Sequence, residues 1–238
     1  MPHEVTVRTH VLLIPGLLAL AAILAHNTGV DHAIAGWFFD EASGGFPARR
    51  SAMLEFFGHR LANVMVVAVF VLLAIGGMVA TWWQPLQRYR RLLLTMAAAM
   101  AAGPTLVVGL KMVTTPRCPW SLVRYGGLEQ APDLWFTTPV NAGACFPGGH
   151  AAGGFALVAI YFAGKVTGNR ALERSGLLIA LVAGIGFSLV RIAQGAHFLS
   201  HNLWSAALCW GLAALVFQQS FGPDAGEILV RGAAVGPG

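Results

Sequence analysis

The chain has 238 residues, of which 56% are hydrophobic and only 11% are charged, whereas an ordinary soluble domain has about 25% charged residues. Its mean hydropathy is +0.67, so the composition excludes a soluble globular protein and predicts an integral membrane protein. The net charge of +5 does not indicate nucleic-acid binding, because the basic residues lie at the ends of apolar runs, as the positive-inside rule predicts.

Six apolar runs are candidate membrane-spanning helices, each of which needs about 20 mostly apolar residues. In chain order they are Val11–His26, Val64–Trp83, Leu92–Leu110, Ala151–Ala163, Leu177–Val190 and Leu203–Phe217. The segment MPHEVTVRTH before the first run is only weakly basic, so the run is interpreted as a retained span rather than a cleaved signal peptide. The predicted fold is an all-α membrane protein with six transmembrane helices in one bundle and an interfacial helix between the first and second.

The interfacial helix is predicted from the segment RRSAMLEFFGHRL, residues 49–61, in the loop 27–61. Its mixture of apolar and basic residues is typical of an amphipathic helix that lies on a membrane surface. Both an ordinary connecting helix and a gate for a lipid substrate remain open. Residues 1–220 are predicted to form one membrane-embedded domain, and the Gly- and Ala-rich residues 221–238 a flexible tail.

The basic residues also predict the orientation of the bundle. The short segments QPLQRYRRL and GKVTGNRALER are densely basic, and short loops count most in the positive-inside rule. Both termini are therefore expected to be cytoplasmic, with the loops 27–61 and 111–149 and the segment 191–202 on the outer side. This arrangement is compatible with a multi-pass protein of the bacterial inner membrane whose site is periplasmic.

Polar residues that the topology does not explain gather at three outward helix ends. They are Lys111, Arg117, Gly148, Gly149, His150, Arg191, His197 and His201. Arginine and lysine suit phosphate oxygens, a glycine-rich helix start offers backbone N–H groups to an anion, and histidine supplies a nucleophile or a proton donor near neutral pH. Charged groups at membrane depth are costly without a function, so the set predicts a phosphate-handling site.

A zinc site is the alternative for the same residues. His197 and His201 are four residues apart, which is a metal-ligand spacing on a helix, and His150 would be the third ligand. Against zinc, HFLSH lacks the glutamate of the H-E-x-x-H pattern, and the converging cations would repel a metal ion.

The helix-end residues resemble the signatures of the type-2 phosphatidic acid phosphatase superfamily, the integral-membrane lipid phosphate phosphatases. The third signature is an arginine, five residues, a histidine, three residues and an aspartate. Arg191 and His197 match it, and His201 stands in the place of the aspartate. The first signature is a lysine, six residues and Arg-Pro, whereas Lys111 and Arg117 are separated by five residues.

The second signature, Pro-Ser-Gly-His, is similar to residues 147–150. Pro147, Gly149 and His150 match it, and Gly148 replaces the serine. The resemblance covers roughly residues 60–220 and includes the order of the three signatures.

The resemblance implies a phosphatase that needs neither a metal nor another cofactor. His197 would attack phosphorus and form a phosphohistidine, and His150 would protonate the leaving oxygen and then activate water. His201 would replace the aspartate that orients the nucleophile, accepting a hydrogen bond from His197 but supplying no negative charge. The phosphate-binding residues implied are Lys111, Arg117, Arg191, Gly148 and Gly149.

The expected partners are the bilayer and a membrane lipid phosphate, with no nucleic acid and no obligate protein partner. Undecaprenyl pyrophosphate, lipid A and phosphatidic acid are candidate substrates. A lipid-to-lipid phosphotransferase and a catalytically decayed lipid-binding protein remain alternatives.

Two features of the outer loop bear on the site, a carboxylate and a pair of cysteines. Asp133 or Glu129 would supply the negative charge that His201 lacks. Cys118 and Cys145 both face the oxidising side in this topology and form a possible disulfide, with two unpaired thiols as the alternative. Cys209 lies within an apolar run and is expected to be an inert core residue.

Overall fold

The computed structural model describes residues 7–56, 60, 62–132 and 134–222. Across these residues the chain is mainly helical, and the pairing of extended segments is limited to isolated bridges. The predicted all-α class is confirmed.

The described residues include ten α-helical segments. They are α1 (Ile14–Asn27), α2 (Val30–Gly36), α3 (Ala52–Glu55), α4 (Ala62–Val79), α5 (Gln84–Gln87), α6 (Arg90–Lys111), α7 (Gly149–Ala156), α8 (Val158–Thr167), α9 (Arg170–Ala193) and α10 (Leu199–Phe221). A π-helical segment, Val7–Leu13, leads directly into α1, and short 3-10 turns occupy Pro47–Arg50, Pro119–Ser121, Val123–Tyr125 and Pro139–Asn141.

Four helical stretches in the described part of the chain are long and apolar enough to cross a membrane. They are Arg8–Asn27, Arg90–Lys111, Arg170–Ala193 and Leu199–Phe221, and they correspond to the first, third, fifth and sixth apolar runs. The second run forms a shorter apolar helix, Asn63–Val79, and the fourth is divided into α7 and α8 at Leu157. Length and composition therefore support four spans, and the predicted total of six remains a prediction.

The division at Leu157 has a local cause. The N–H of Leu157 donates to the carbonyl of Gly154, and the N–H of Ile160 donates to the carbonyl of Leu157. Bonds between residues three apart tighten the chain into a 3-10 turn, which separates the two α-helical segments.

The loop predicted to hold the interfacial helix is only partly described. After the turn Pro47–Arg50, Ser51 caps α3 by accepting a hydrogen bond from the N–H of Leu54 at 3.3 Å. Residues 57–59 and 61 lie outside the described residues, as do Asp133 and residues 223–238 of the predicted tail. The interfacial helix and the tail therefore stay predictions.

Small residues bring α9 close to α7 and α8. A side-chain carbon at Gly154 would lie 2.7 Å from the backbone of Gly184, and one at Gly176 would lie 2.4 Å from the backbone nitrogen of Tyr161. Because lipid chains are as apolar as the helices, association in a bilayer depends on such close van der Waals contact. The neighbouring core is apolar and includes the fully buried ring of Phe162.

The two ends of the bundle differ in character. The end of α6, the start of α7, the end of α9 and the start of α10 meet at one end. At the other end, the Arg91 guanidinium donates to the carbonyl of Ser220, and Lys165 lies 3.7 Å from the carboxylate of Glu173. The basic segments QPLQRYRRL and GKVTGNRALER thus lie opposite the predicted site.

Candidate active site

Lys111 is the last residue of α6 and reaches the start of α7. Its ammonium group donates to the carbonyl of Ala144 at 3.1 Å, and a side-chain carbon built at Gly149 would lie 3.7 Å from Nζ. The first N–H groups of a helix have no acceptor within the helix and carry partial positive charge. A lysine charge and a helix N-terminus therefore lie side by side, and both favour an anion.

The backbone N–H of Gly148 is used within the protein. Its N–H donates to the carbonyl of His201 at 3.0 Å, so this donor is already used, and a bound anion would be met by the N–H groups that follow it in α7. A side-chain carbon at position 148 would lie 2.2 Å from Oδ1 of Asn202. The backbone here thus leaves no room for the serine of the second signature without a shift of Asn202.

His197 lies in the short connection between α9 and α10 and is only 3% exposed. Burial lowers the pKa of this imidazole well below its ordinary value near 6.5, and nearby groups lower it further: Lys111, His201, Arg191 and His150. The neutral ring retains a lone pair, as a nucleophile requires. Its Nδ1 atom lies 3.5 Å from Sγ of Cys145, which leaves Nε2 as the nitrogen for attack.

His201 packs against His197 but does not hydrogen-bond to it. The two ring centroids are 5.9 Å apart with the planes at 64°. Among the described residues the buried Nδ1 atom of His201 has no hydrogen-bond partner. The expected hydrogen bond is not formed in this geometry, because Nδ1 of His197 faces the sulfur of Cys145.

Arg191, in the last turn of α9, is held from two directions. Its Nη1 atom donates to Oε1 of Gln194 at 2.8 Å, and its guanidinium carbon lies 5.7 Å from the ring centroid of Trp120. The Nε atom is buried and has no hydrogen-bond partner within the described residues. An oriented guanidinium with an unused buried donor suits a phosphate oxygen.

Arg117 is placed differently from the other two predicted cations. Its Nε atom lies 2.7 Å from Oε2 of Glu129, and Nη1 donates to the carbonyl of Ala142 at 3.5 Å. Together with His201 it lines a neighbouring cavity of about 250 Å³. Glu129, one candidate for the missing carboxylate, is therefore paired with Arg117, and the other, Asp133, lies outside the described residues.

Cys118 and Cys145 are joined by a disulfide, with their Cα atoms 5.3 Å apart. The bond ties the chain that leaves α6 to the chain that enters α7, and it closes the outer loop. Cys209 is a buried free thiol, in agreement with its predicted place in the core.

The potential metal-ligand atoms that lie closest together are not the three histidines of the zinc alternative. In the part of the chain described here, the group within 4.8 Å of one another consists of Cys145, His197 and His201, whereas the predicted zinc set included His150. A cysteine ligates a metal as its thiolate, and Cys145 is in a disulfide. The geometry therefore offers a poorer donor set than the zinc alternative requires.

An apolar groove of about 540 Å³ runs between α4, α6 and α7 and reaches Lys111 and His150. Its apolar walls include Val66, Val67, Phe70, Met100, Pro104 and Val108. Pockets of this kind bind apolar ligands and orient them through a few polar groups. The groove matches a ligand with a long apolar chain and an anionic head.

Sequence reasoning missed three residues that support this cluster: Asp31, Trp120 and Gln194. Gln194 follows Arg191 by three residues, so helical spacing was a usable signal. Asp31 hydrogen-bonds to Ser200, 169 positions later, and no local pattern indicates such a contact.

The comparisons with known proteins bear on these observations. The family model of the PAP2 superfamily matches residues 88–223, which is more than half of the chain and includes all three signature segments. No curated protein and no solved structure gave a match. The chain therefore belongs to the PAP2 superfamily, and this membership implies a phosphatase associated with a membrane.

Proposed function

We propose that the protein hydrolyses a lipid phosphomonoester or pyrophosphate at the outer face of the membrane, through a phosphohistidine on His197 and without a metal. The observation that carries the proposal is the apolar groove that ends at Lys111 and His150. The groove suits a lipid chain, and the cluster at its end suits a phosphate.

In the first step, Nε2 of His197 attacks phosphorus while the bond from phosphorus to the lipid oxygen breaks. His150 starts protonated and donates this proton to the leaving oxygen, whether the leaving group is a lipid alcohol or a lipid phosphate. Lys111 and Arg191 hold the phosphoryl oxygens, and the N–H groups that open α7 add partial positive charge. Arg117 is assigned no direct contact here, because its guanidinium is paired with Glu129.

In the second step, His150 accepts a proton from water, and the resulting hydroxide attacks phosphorus. The bond between phosphorus and His197 breaks, inorganic phosphate leaves and both histidines regain their starting states. Phosphoryl transfer depends mainly on positioning and electrostatic stabilisation, so this set of residues requires no further reactive group.

The proposed orientation places both termini in the cytoplasm and the site in the periplasm of a bacterial inner membrane. The support is that the basic segments around α5 and between α8 and α9 lie at the end of the bundle opposite the histidines.

The central test is phosphate release by the protein purified in detergent. Phosphatidic acid, undecaprenyl pyrophosphate and lipid A are offered separately, and a ³²P-labelled substrate is used to trap an acid-labile phosphoenzyme. His197→Ala should abolish both turnover and labelling. His10→Ala is the matched control, because His10 is also a buried histidine, 6% exposed, but packs against Trp210 and Phe162 away from the cluster. Full activity in His197→Ala would refute the assignment of the nucleophile.

Metal independence is tested by the same assay after treatment with a chelator. Unchanged turnover is expected. Loss of turnover that Zn²⁺ restores would overturn the metal-free mechanism and favour the zinc alternative.

A lipid-to-lipid phosphotransferase is the second candidate, because a second apolar cavity of about 420 Å³ lies on the other flank of α6. Its lining includes Leu110, Trp135, Phe146 and Trp204, and it is suited to a second lipid chain. An acceptor lipid added to the assay distinguishes the two reactions, since a transferase moves the label to the acceptor instead of releasing phosphate. Binding of labelled lipid without either product would identify a catalytically decayed protein.

A further inference from the structure

The start of α10 is capped by a residue from the far end of the chain. Phe198, at the N-cap position, provides no side-chain hydrogen bond. Instead the carboxylate of Asp31, in α2, accepts the N–H of Ser200 at 2.8 Å and also the hydroxyl of Ser200. Asp31 is only 2% exposed, so this carboxylate is buried and committed to α10.

The capped turn belongs to the candidate active site. His201 is the residue after Ser200, and His197 lies three residues before it. Asp31 and His201 also line the same cavity, and Nδ1 of His26 lies 3.7 Å from the Asp31 carboxylate on that side. Any movement of the Asp31–Ser200 contact is therefore passed directly to the backbone that carries both histidines.

The negative charge of Asp31 lies at the N-terminus of α10. The N-terminus of α10 carries partial positive charge, and it lies in a cluster that already contains Lys111 and Arg191. A carboxylate at a helix N-terminus offsets this partial charge. The chain has no carboxylate at position 201, where the third signature has one, and the buried Asp31 places a carboxylate on Ser200, the residue directly before it.

We propose that Asp31 is a positioning residue for the catalytic histidines, supplying from outside the matched region 88–223 the carboxylate that His201 does not provide. The inference rests on the proposed function of the same site. It assigns Asp31 no contact with the substrate, because its two hydrogen bonds go to Ser200.

The test compares kcat and KM in the full-length protein for Asp31→Asn, His201→Asp and the double variant. Asp31→Asn should lower kcat at least about tenfold with KM nearly unchanged, because a neutral amide holds the Ser200 backbone less firmly and does not offset the partial charge of the helix N-terminus. Adding His201→Asp to Asp31→Asn should restore at least about fivefold of that loss, because substitutions that act on one shared role are coupled rather than additive. Asp40→Asn is the matched control, since Asp40 also accepts backbone hydrogen bonds, from Ala42 and Ser43, but in an exposed turn.

An Asp31→Asn variant with wild-type kcat would overturn the proposal. Independent, additive effects of the two substitutions would also overturn it, because a cap that serves folding alone has no reason to be rescued by an aspartate at position 201. If Asp31→Asn fails to fold, Ser200→Ala removes only the hydroxyl donor, and a kcat equal to that of the wild type would then count against the proposal.

Orthovanadate binding separates this inference from the proposed function. Vanadate mimics the phosphoryl group, and its affinity, measured by calorimetry, should fall at least about tenfold in Asp31→Asn. A wild-type protein that binds vanadate without turnover would refute hydrolysis. The positioning role would then stand or fall with the loss of vanadate affinity in Asp31→Asn. Turnover with an unaffected Asp31→Asn would refute the positioning role alone, and a chain that neither binds vanadate nor turns over would remove both.

Discussion

Reduction of the Cys118–Cys145 disulfide should lower both stability and turnover. The two cysteines are separated by 27 positions. In the chain-entropy model, closing a loop of this length removes about 12 cal/mol/K from the unfolded ensemble, or about 3.5 kcal/mol at 25 °C. The loop connects α6 to α7 outside both helices, so this estimate holds even if the helices persist in the unfolded state.

Turnover should fall because the bridge holds two parts of the site. Cys145 is next to Ala144, whose carbonyl binds Lys111, and its sulfur packs against Nδ1 of His197. A charge-assisted hydrogen bond such as that of Lys111 contributes about 1.5–3 kcal/mol. Its loss on reduction should therefore lower kcat at least about tenfold.

The assay is urea unfolding in detergent micelles, followed by tryptophan fluorescence, with and without a phosphine reductant. The free energy of unfolding of the wild type should fall by about 3.5 kcal/mol on reduction, and Cys118→Ser/Cys145→Ser should show the lower value under both conditions. Cys209→Ala is the matched control and should respond to the reductant as the wild type does. A wild-type decrease below about 1 kcal/mol, or an equal decrease in the double-serine variant, would refute the loop-entropy reasoning.

Three further predictions test the site. Because the pKa of His197 is lowered by burial, the unfolded state binds a proton below about pH 6.5 that the folded state excludes. The free energy of unfolding should therefore fall from pH 7 to pH 5, by at most about 1.4 kcal/mol per pH unit for this group, and His197→Gln should make the profile in urea titrations less steep. Gly148→Ser should lower the unfolding free energy by about 0.5–1.5 kcal/mol, because the new side chain displaces Asn202 and weakens the hydrogen bond from its amide to the carbonyl of Phe198. A variant as stable as the wild type in urea titrations would contradict this cost. Arg191→Ala should lower kcat about 100-fold or more, because it removes a preorganised hydrogen-bond donor to the phosphate, whereas Arg117→Ala should lower kcat less than about fivefold. Equal losses in the two variants would show that Arg117 leaves Glu129 to bind the phosphate.

The helical class and the proximity of the signature residues were the predictable part of this protein. A long apolar run predicts a helix within the bilayer, because every unsatisfied backbone polar group there is costly and a helix satisfies these groups internally. The signature positions Lys111, His150, Arg191 and His197 lie on helix ends that the order of the runs already brings to one face. The structure brings Lys111, Arg191 and His150 near His197, whereas their catalytic and phosphate-binding roles stay predictions.

The details that sequence could not provide are contacts between distant segments. The N–H of Gly148 is taken by the carbonyl of His201, and Arg117 is paired with Glu129; each depends on loop geometry rather than on a local pattern. The cap from Asp31 is the extreme case, since 169 positions separate it from Ser200. The break at Leu157 also escaped prediction, because an apolar run has the same appearance whether its helix is continuous or divided.

Under the proposed function, the groove between α4, α6 and α7 sets how the rate of turnover should depend on the amount of substrate. A lipid that enters between helices reaches Lys111 by lateral diffusion within the bilayer or micelle, so the concentration it experiences is a mole fraction in the surface and not an amount per volume. Adding inert detergent at constant total substrate should therefore slow turnover by surface dilution. A water-soluble phosphate ester with the same head group would not show this dependence, because it approaches Lys111 and His150 from the aqueous side.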